Sequence, residues 1–381
     1  MDDLRLQEIK LTHFRNYEMF HVKHLSSLTI FVGPNAIGKT NIVEGIQLIT
    51  ALSSFRSSKV DELIKWGKGT GSVTGKVVSD SRDLDIELTL KNNQRTYALN
   101  GKHKTVSELQ GLLPAVVFSP EDLALVKGSQ SHRRSVLDLL GCQLSKNHRI
   151  IKRDYEKLIR HKNVLLKQHA DTLLLESVNE MLIQTGIQMY RYRVALFENM
   201  LTRIQESYSD ITHGEEIIGL SYIPSWESGG IKLQATEHPY MPSADIETVE
   251  ALYRKALNDR AEEERIRQRC VVGPHADKIE FFINGKNAGS YASQGQQRSI
   301  VLAWKVAEVG IIRELLGVKP VLLLDDVMSE LDAARRSAMV SLLFKDIQTF
   351  VTTTDVSFFD ADIRDRADII ELGAEGNEIR S

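Results

Sequence analysis

Cysteine is nearly absent from this 381-residue chain: Cys142 and Cys270 are its only two, and they form no C-x-x-C pair. That excludes a disulfide framework and a zinc ribbon, and it points to a reducing compartment. Long hydrophobic runs are lacking too. Stretches such as Val321-Leu322-Leu323-Leu324 fall far short of the roughly 20 residues a membrane helix needs. The start, Met1-Asp2-Asp3-Leu4-Arg5, is acidic and carries no apolar core of a secretory signal. Together these lacks imply a cytoplasmic protein. No charge of one sign dominates: 48 Lys and Arg stand against 51 Asp and Glu, a net charge of −3. Affinity for nucleic acid would therefore have to come from a local patch. There is no internal repeat and no extended heptad pattern. With 42% hydrophobic and 26% charged residues, what remains is an ordinary globular chain, long enough for two lobes.

Three stretches differ in pattern. The first hundred residues read as strands with one helix. Leu28-Thr29-Ile30-Phe31-Val32 is β-rich and ends at Gly33, a helix follows from Thr40 to about Ala51, and Asp83 to Leu90 alternates polar with apolar at the period of a half-buried strand. Asn100-Gly101 reads as a hairpin turn. From about Glu121 to Gln268 the pattern is helical. In Lys146 to Gln168, Ile151, Tyr155, Leu158 and Leu165 share one face, and Arg149, Arg153, Lys157 and Arg160 the opposite one. Ile223 to Gly230, with its Gly, Pro and Ser, reads as a surface loop. From Val271 the chain returns to strands and alternates helix with strand to the end. The expected organisation is 1–120 and 271–381 forming one α/β lobe from both chain ends, with 121–270 as an inserted helical lobe.

Gly33-Pro34-Asn35-Ala36-Ile37-Gly38-Lys39-Thr40 fits G-x-x-x-x-G-K-[ST] between a strand and a helix. Glycines let backbone N–H groups curl around phosphate oxygens, and the helix N-terminus adds positive potential. Lys39 can reach the β- and γ-phosphates of ATP, and the Thr40 hydroxyl can ligate Mg²⁺. Val321-Leu322-Leu323-Leu324-Asp325-Asp326 is an apolar strand ending in two acids, where open α/β sheets collect ligands. Asp325 would hold Mg²⁺ directly or through water, and Asp326 would orient and deprotonate the attacking water. Ser329-Glu330-Leu331-Asp332 follows, with Ser329 also a possible helix cap. Gln348 to Asp355 reads as a further strand, either plain core or a nucleotide sensor.

Ser293-Gln294-Gly295-Gln296-Gln297 precedes a helix, and a serine hydroxyl with a glycine at a helix start makes an anion site. With this motif just ahead of the acid-ended strand, the chain resembles the ABC-type ATPases of the structural-maintenance-of-chromosomes (SMC) group, and more narrowly the RecF family of bacterial recombination mediators. Stations along nearly the whole chain carry the resemblance: Phe14-Arg15-Asn16-Tyr17, the phosphate loop with Asn41, Ser54-Phe55-Arg56, Phe118 to Leu123, Arg133 to Asp138, Gly273-Pro274-His275, Ser293 to Arg298, and Asp325 to Asp332. Two positions depart from pattern. Ala276 stands where the family usually has Arg, and Thr354 stands where transporters carry a switch histidine. No Q-loop glutamine is placed.

The resemblance implies an ABC-type P-loop ATPase head formed by both chain ends, with a mostly helical inserted lobe. It implies two ATP molecules sandwiched in a homodimer, with Ser293, Gly295 and Gln296 acting in trans on the partner's nucleotide and Ser329 and Asp332 forming a D-loop. Arg15, Asn16 and Asn41 join the ATP-binding set, and Lys39 and Asp326 carry catalysis. Hydrolysis should be slow, because Asp326 stands where transporters place the longer Glu, and the resemblance implies that DNA stimulates it. The implied role is binding duplex or gapped DNA at single-strand gaps or junctions during repair, replication and the SOS response, with RecR and RecO as partners and RecA loading as the outcome.

Between Lys127 and His169 there are eleven Lys and Arg against three acids. This excess can be a solvated helix face, or it can bind phosphates without reading sequence; Arg149, Arg153, Lys157 and Arg160 are the candidate DNA contacts. The rival reading is an ABC-type ATPase subunit serving a membrane transporter. A P-loop nuclease would need a further cluster of acids and histidines, and a small-molecule kinase leaves Ser293 to Gln297 without a use.

Overall fold

The computed structural model describes residues 4–56, 59–227, 246–332, 335–336, 339, 346–373 and 379–380. The chain divides into two compact units, Met1–Asp122 with Glu308–Ser381, and Leu123–Ala307. The first unit contains strands β1 (Arg5–Phe14), β2 (Tyr17–Val22), β3 (Leu28–Val32), β4 (Thr70–Val78), β5 (Asp83–Lys91), β6 (Gln94–Leu99), β7 (Lys102–Lys104) and β8 (Ala115–Phe118). The second contains β9 (Ile218–Ile223), β10 (Lys278–Ile283) and β11 (Lys286–Asn287). The chain then returns to the first unit with β12 (Val321–Asp325), β13 (Thr349–Thr353), β14 (Asp368–Leu372) and β15 (Ile379–Arg380).

Two sheets of the first unit enclose a helix. An antiparallel sheet has the order β2-β1-β4-β5-β6-β7. In β4, Gly71, Val73, Gly75 and Val77 are buried and the residues between them are not, so one face meets the core and the other meets water. The second sheet, β15-β14-β3-β13-β12-β8, is parallel except for β15. Its central strands, Val-Leu-Leu-Leu-Asp and Thr-Phe-Val-Thr-Thr, are buried throughout, which an uninterrupted run demands when both faces are covered. Helix α1 (Lys39–Thr50) is buried almost all round, and its Ile42, Val43, Ile46 and Ile49 join one core with residues of both sheets. A Cβ on Gly45 of α1 would meet Leu11 at 2.6 Å, so glycine lets helix and sheet approach this closely. Gln348 stitches the chain ends together, accepting from the Leu6 amide at 2.7 Å and donating to the Leu6 carbonyl at 2.8 Å.

The hairpin expected at Asn100-Gly101 joins β6 to β7, with φ of +49° and +73° there. These are the two left-handed residues of a type I′ turn. Asn92-Asn93, with φ of +50° and +56°, turns β5 into β6 the same way.

The second unit holds helices Gln130–Leu144, Lys146–Lys167, Thr172–Thr212, Ile246–Asp259 and Ala261–Arg267. It also holds a sheet: β10 and β11, in the stretch expected to return to strands from Val271, pair with each other, and β10 pairs with β9, a strand not expected within 121–270. That pairing, Lys278 opposite Ile223, is why the stretch following Val271 groups with the insertion. The division therefore falls after Ala307 rather than at 270/271. The predicted surface loop departs as well. Trp226 is buried and stacks on Tyr253 at 4.7 Å, while 228–230 lie outside the described residues. A buried ion pair braces the unit: Arg193 donates from two nitrogens to the two oxygens of Asp138, at 2.8 Å each. Among the described residues no helix is long and apolar enough to cross a membrane.

Candidate nucleotide site

The parallel register builds the centre of this site. β3, β13 and β12 lie side by side, with Val32 opposite Thr353 and Thr352 opposite Asp325. The phosphate loop therefore leaves β3 beside the acid that ends β12. Gly33 N–H donates to the Thr353 carbonyl at 3.2 Å, so β3 hydrogen-bonds to β13 up to the start of the loop. Gly38 closes the loop with φ +116°, and a Cβ there would lie 2.6 Å from the Asn16 amide nitrogen. Only glycine allows that turn into α1.

Lys39 is buried and folds back over the loop, its Nζ donating to the carbonyls of Gly33 at 2.7 Å and Pro34 at 3.1 Å. Those carbonyls hold the ammonium at the loop, where a phosphate can take it. Thr40 Oγ1 donates to Asp325 Oδ1 at 3.0 Å, and Thr352 Oγ1 donates to the same oxygen at 2.8 Å. Burial pushes the Asp325 carboxyl above its ordinary range, while the Thr352 and Thr40 hydroxyls pull it back. A hydroxyl and a carboxylate in contact are the hard oxygen donors that Mg²⁺ accepts alongside phosphates and waters. Thr40 and Asp325 thus fit that ion. Asp326 takes left-handed backbone, φ +54°, and its N–H donates to Thr352 Oγ1 at 3.0 Å. Its Oδ1 is buried with no hydrogen-bond partner among the described residues, an acceptor left open for a water.

The β1–β2 turn buttresses the loop. Asn16 donates to the Ile37 carbonyl at 2.9 Å and accepts from Asn41 at 2.8 Å. Arg56 in turn donates to Asn41 Oδ1 at 3.0 Å. Arg15, named above in the ATP-binding set, grips Glu44 through Nε at 2.8 Å and Nη2 at 2.9 Å. Ser54 completes that carboxylate's shell at 2.6 Å. Glu44 and Thr352 were missed as supporting residues. Glu44 reads as an ordinary helix acid, and its partner lies 29 residues upstream; Thr352 sits in a strand read as either plain core or a nucleotide sensor, with nothing to single it out from its neighbours.

Downstream of Asp326, Ser329 Oγ donates to the Asp326 carbonyl at 3.1 Å. Asp332 accepts the Arg335 amide at 3.0 Å and pairs with that residue's guanidinium. In the second unit, Ser293 and Gln296 form a reciprocal cap: Ser293 N–H donates to Gln296 Oε1 at 2.8 Å, and Gln296 N–H donates to Ser293 Oγ at 3.2 Å. Ser293 is exposed at the start of the Gln294–Leu316 helix, and Gly295 lies in its first turn. Gln296 Nε2 also reaches Glu216 at 2.7 Å.

The basic stretch is less basic at its surface than in sequence. Arg133 is buried, donating to the carbonyls of Leu125 and Ile279. Lys162 is buried against Glu264 at 2.5 Å. Arg149 turns inward to the Cys142 carbonyl at 3.0 Å. Arg153, Lys157 and Arg160 are exposed, the first two lying 3.0 and 3.9 Å from Asp154.

A phosphate loop, a strand-end acid and a threonine shared between them define a P-loop ATPase unit. The sequence pattern of the RecF/RecN/SMC N terminal domain family matches residues 5–368. A protein from Rippkaea orientalis called DNA replication and repair protein RecF is 34% identical over 97% of this chain and 98% of its own length. One of the same name from Streptococcus gordonii is 35% identical over 92% and 93%. A solved structure of the recombination mediator protein RecF, as RecF-ATPrS in the RecFOR pathway, superposes with TM-score 0.87 at 29% identity, covering 100% of this chain and 99% of that one. Its RecF-ATP counterpart gives 0.85 at 29%, covering 97% and 95%. The Smc head domain of Pyrococcus furiosus, at 17% identity and TM-score 0.52, shares the fold. The chain belongs to the RecF family, and its fold is an ABC-type P-loop ATPase head made from both chain ends, with a mostly helical insertion.

Proposed function

We propose that the chain is a cytoplasmic, ATP-dependent DNA-binding protein of recombinational repair and replication. It binds duplex DNA at single-strand gaps or junctions, works with RecR and RecO, and promotes RecA loading. The observation that carries the nucleotide half is the Thr40–Asp325–Thr352 chain of hydrogen bonds, which brings the loop and the strand-end acid into contact. The repair half rests on relatives named for DNA replication and repair that align over nearly the whole chain; no membrane partner is needed to account for any element described.

In this reading Gly33 to Thr40, with Asn41 and Asn16 behind them, cradle the triphosphate. Thr40 and Asp325 would hold Mg²⁺, which would offset part of the triphosphate's negative charge. Asp326 accepts a hydrogen bond from the attacking water through its open Oδ1. Its side chain is one methylene shorter than Glu, so turnover is slow. Each nucleotide carries more negative charge than one loop offsets. The exposed Ser293 turn of a second copy, with Gly295 and Gln296, completes the cage, so ATP favours the dimer by binding it better than the monomer. Ser329 and Asp332 sit on the D-loop of that interface, and DNA meets the exposed Arg153, Lys157 and Arg160.

The test is to size the purified protein with and without ATP, alone and with gapped duplex at two salt concentrations. Wild type should dimerise with ATP. Lys39→Met should lose ATP binding, and Ser293→Arg should bind ATP yet remain monomeric. A normal ATP-driven dimer from Ser293→Arg would overturn the sandwich.

A further inference from the structure

Trp66 is 97% exposed, while the chain's other two tryptophans, Trp226 and Trp304, are buried. An indole fully in water is a large apolar area left unburied, and here it is held there by construction. Lys68 N–H donates to the Lys65 carbonyl at 3.0 Å, closing a four-residue turn with Trp66 second and Gly67, φ +80°, third. Gly at that position is what a type II turn requires. The turn is anchored on both sides: Lys65 N–H donates to the His13 carbonyl at 2.8 Å, and Lys65 and Lys68 clamp Glu18 at 3.2 and 2.8 Å. Cβ atoms built on Gly67 and Gly69 would meet nothing within 4 Å, so space beside the ring is open.

We infer that Trp66 is a stacking platform for an unpaired base of single-stranded nucleic acid. This rests on the reading that the chain binds DNA, and it names the part of a gapped substrate that the head would touch. A protein hot spot is a worse match, because such a residue sits within a surround of further apolar contacts that exclude water. The other large exposed apolar side chains of this unit, among the described residues, are Met19 and Leu315. Lys65, Gly67 and Lys68 flank Trp66 instead, with both ammonium groups paired to Glu18, so what the turn offers a base is the open aromatic face itself.

Intrinsic fluorescence tests it, since the water-exposed emission belongs to Trp66. A short oligo-dT should quench and blue-shift that emission, and a blunt duplex of equal phosphate count should not. Trp66→Ala should weaken oligo-dT binding by about 5- to 150-fold, the range for losing one stacked base, with duplex binding unchanged and Trp66→Phe retaining most of the affinity. Equal oligo-dT affinity in Trp66→Ala, measured by anisotropy, overturns the inference while leaving DNA binding standing. Quenching by ATP alone also overturns it, assigning the ring to the bound nucleotide's base. Absence of binding to either DNA sinks this inference together with the reading beneath it.

Discussion

Replacing Arg15 by Met should destabilise the protein in the absence of any nucleotide. Glu44 has no exposed side-chain surface, and Arg15 supplies two of its hydrogen bonds, at 2.8 and 2.9 Å. Removing one partner of a buried pair leaves an uncompensated charge and costs about 3–5 kcal/mol. Ser54 at 2.6 Å and Arg56 at 3.8 Å stay beside the carboxylate, so the lower end, about 3 kcal/mol, is the appropriate figure. At about 2–4 °C per kcal/mol for a unit of this size, the first melting transition should fall by about 6–12 °C. Changing Glu44 to Leu in the same protein should recover much of the loss, because a buried pair exchanged for apolar groups is often neutral. The assay is thermal or urea unfolding without ATP, alongside ATP titration. An unfolding change below about 1 kcal/mol together with lost ATP binding would make Arg15 a nucleotide ligand after all and refute the bracing role.

Thr352→Val removes the donor to Asp325 and the acceptor of the Asp326 amide, and should cost about 1–2 kcal/mol in nucleotide-free unfolding. It should also reduce the Mg²⁺ enhancement of ATP affinity; an unchanged enhancement would show that Thr352 does not position Asp325. Reversing Arg153, Lys157 and Arg160 to Glu should weaken duplex binding and flatten its log–log salt slope by about 2.7, at roughly 0.9 per lost phosphate contact. Identical affinity at low salt would eliminate that face. Burial pushes Asp277 up to about 6 and His275 down to about 4. The raised Asp277 contributes stability below the ordinary carboxylate range that is lost as pH rises through 6. The depressed His275 contributes stability above about 6.5 that is lost as pH falls towards 4. The two oppose each other across one window. Relative to wild type, His275→Gln should gain stability as pH falls from 6.5 to 4.5 and Asp277→Asn should lose it, as read from urea midpoints; parallel pH profiles for all three proteins would refute the balance.

What could be read from residues alone was local. The phosphate loop, the strand before it, the alternation from Asp83 to Leu90 and the Asn100-Gly101 turn each depend on a few adjacent side chains whose backbone preferences act at short range. What was hidden depends on partners far off in the chain. Lys278 meets Ile223 across 55 residues, which moved the unit boundary. Asn92-Asn93 turns a hairpin as Asn100-Gly101 does, but without glycine it gave a weaker signal. Charge was the least legible property. Arg133, Arg149 and Lys162 raised the count of the basic stretch, yet their charges are spent on carbonyls and on Glu264. Sequence spacing placed Arg149 on the same face as Arg153, but spacing cannot say that a carbonyl seven residues back will claim its guanidinium.

The same reasoning ties the nucleotide loop to the antiparallel sheet. Thr40 and Glu44 stand one turn apart on α1, the first touching Asp325 and the second holding Arg15 of the β1–β2 turn. Asn16, next in that turn, fixes the Ile37 carbonyl of the loop, and the Lys65 ammonium reaches the Asn16 carbonyl at 3.2 Å. Because α1 is buried almost all round from Ile42 on, a shift at Thr40 is not absorbed by a loose helix and must be met by its neighbours. The turn bearing Trp66 is therefore linked to the phosphate loop by two hydrogen bonds, Lys65 to Asn16 and Asn16 to Ile37. Nucleotide occupancy should therefore change oligo-dT affinity through this path without itself quenching Trp66, and Asn16→Ala should weaken that coupling while leaving oligo-dT quenching in place.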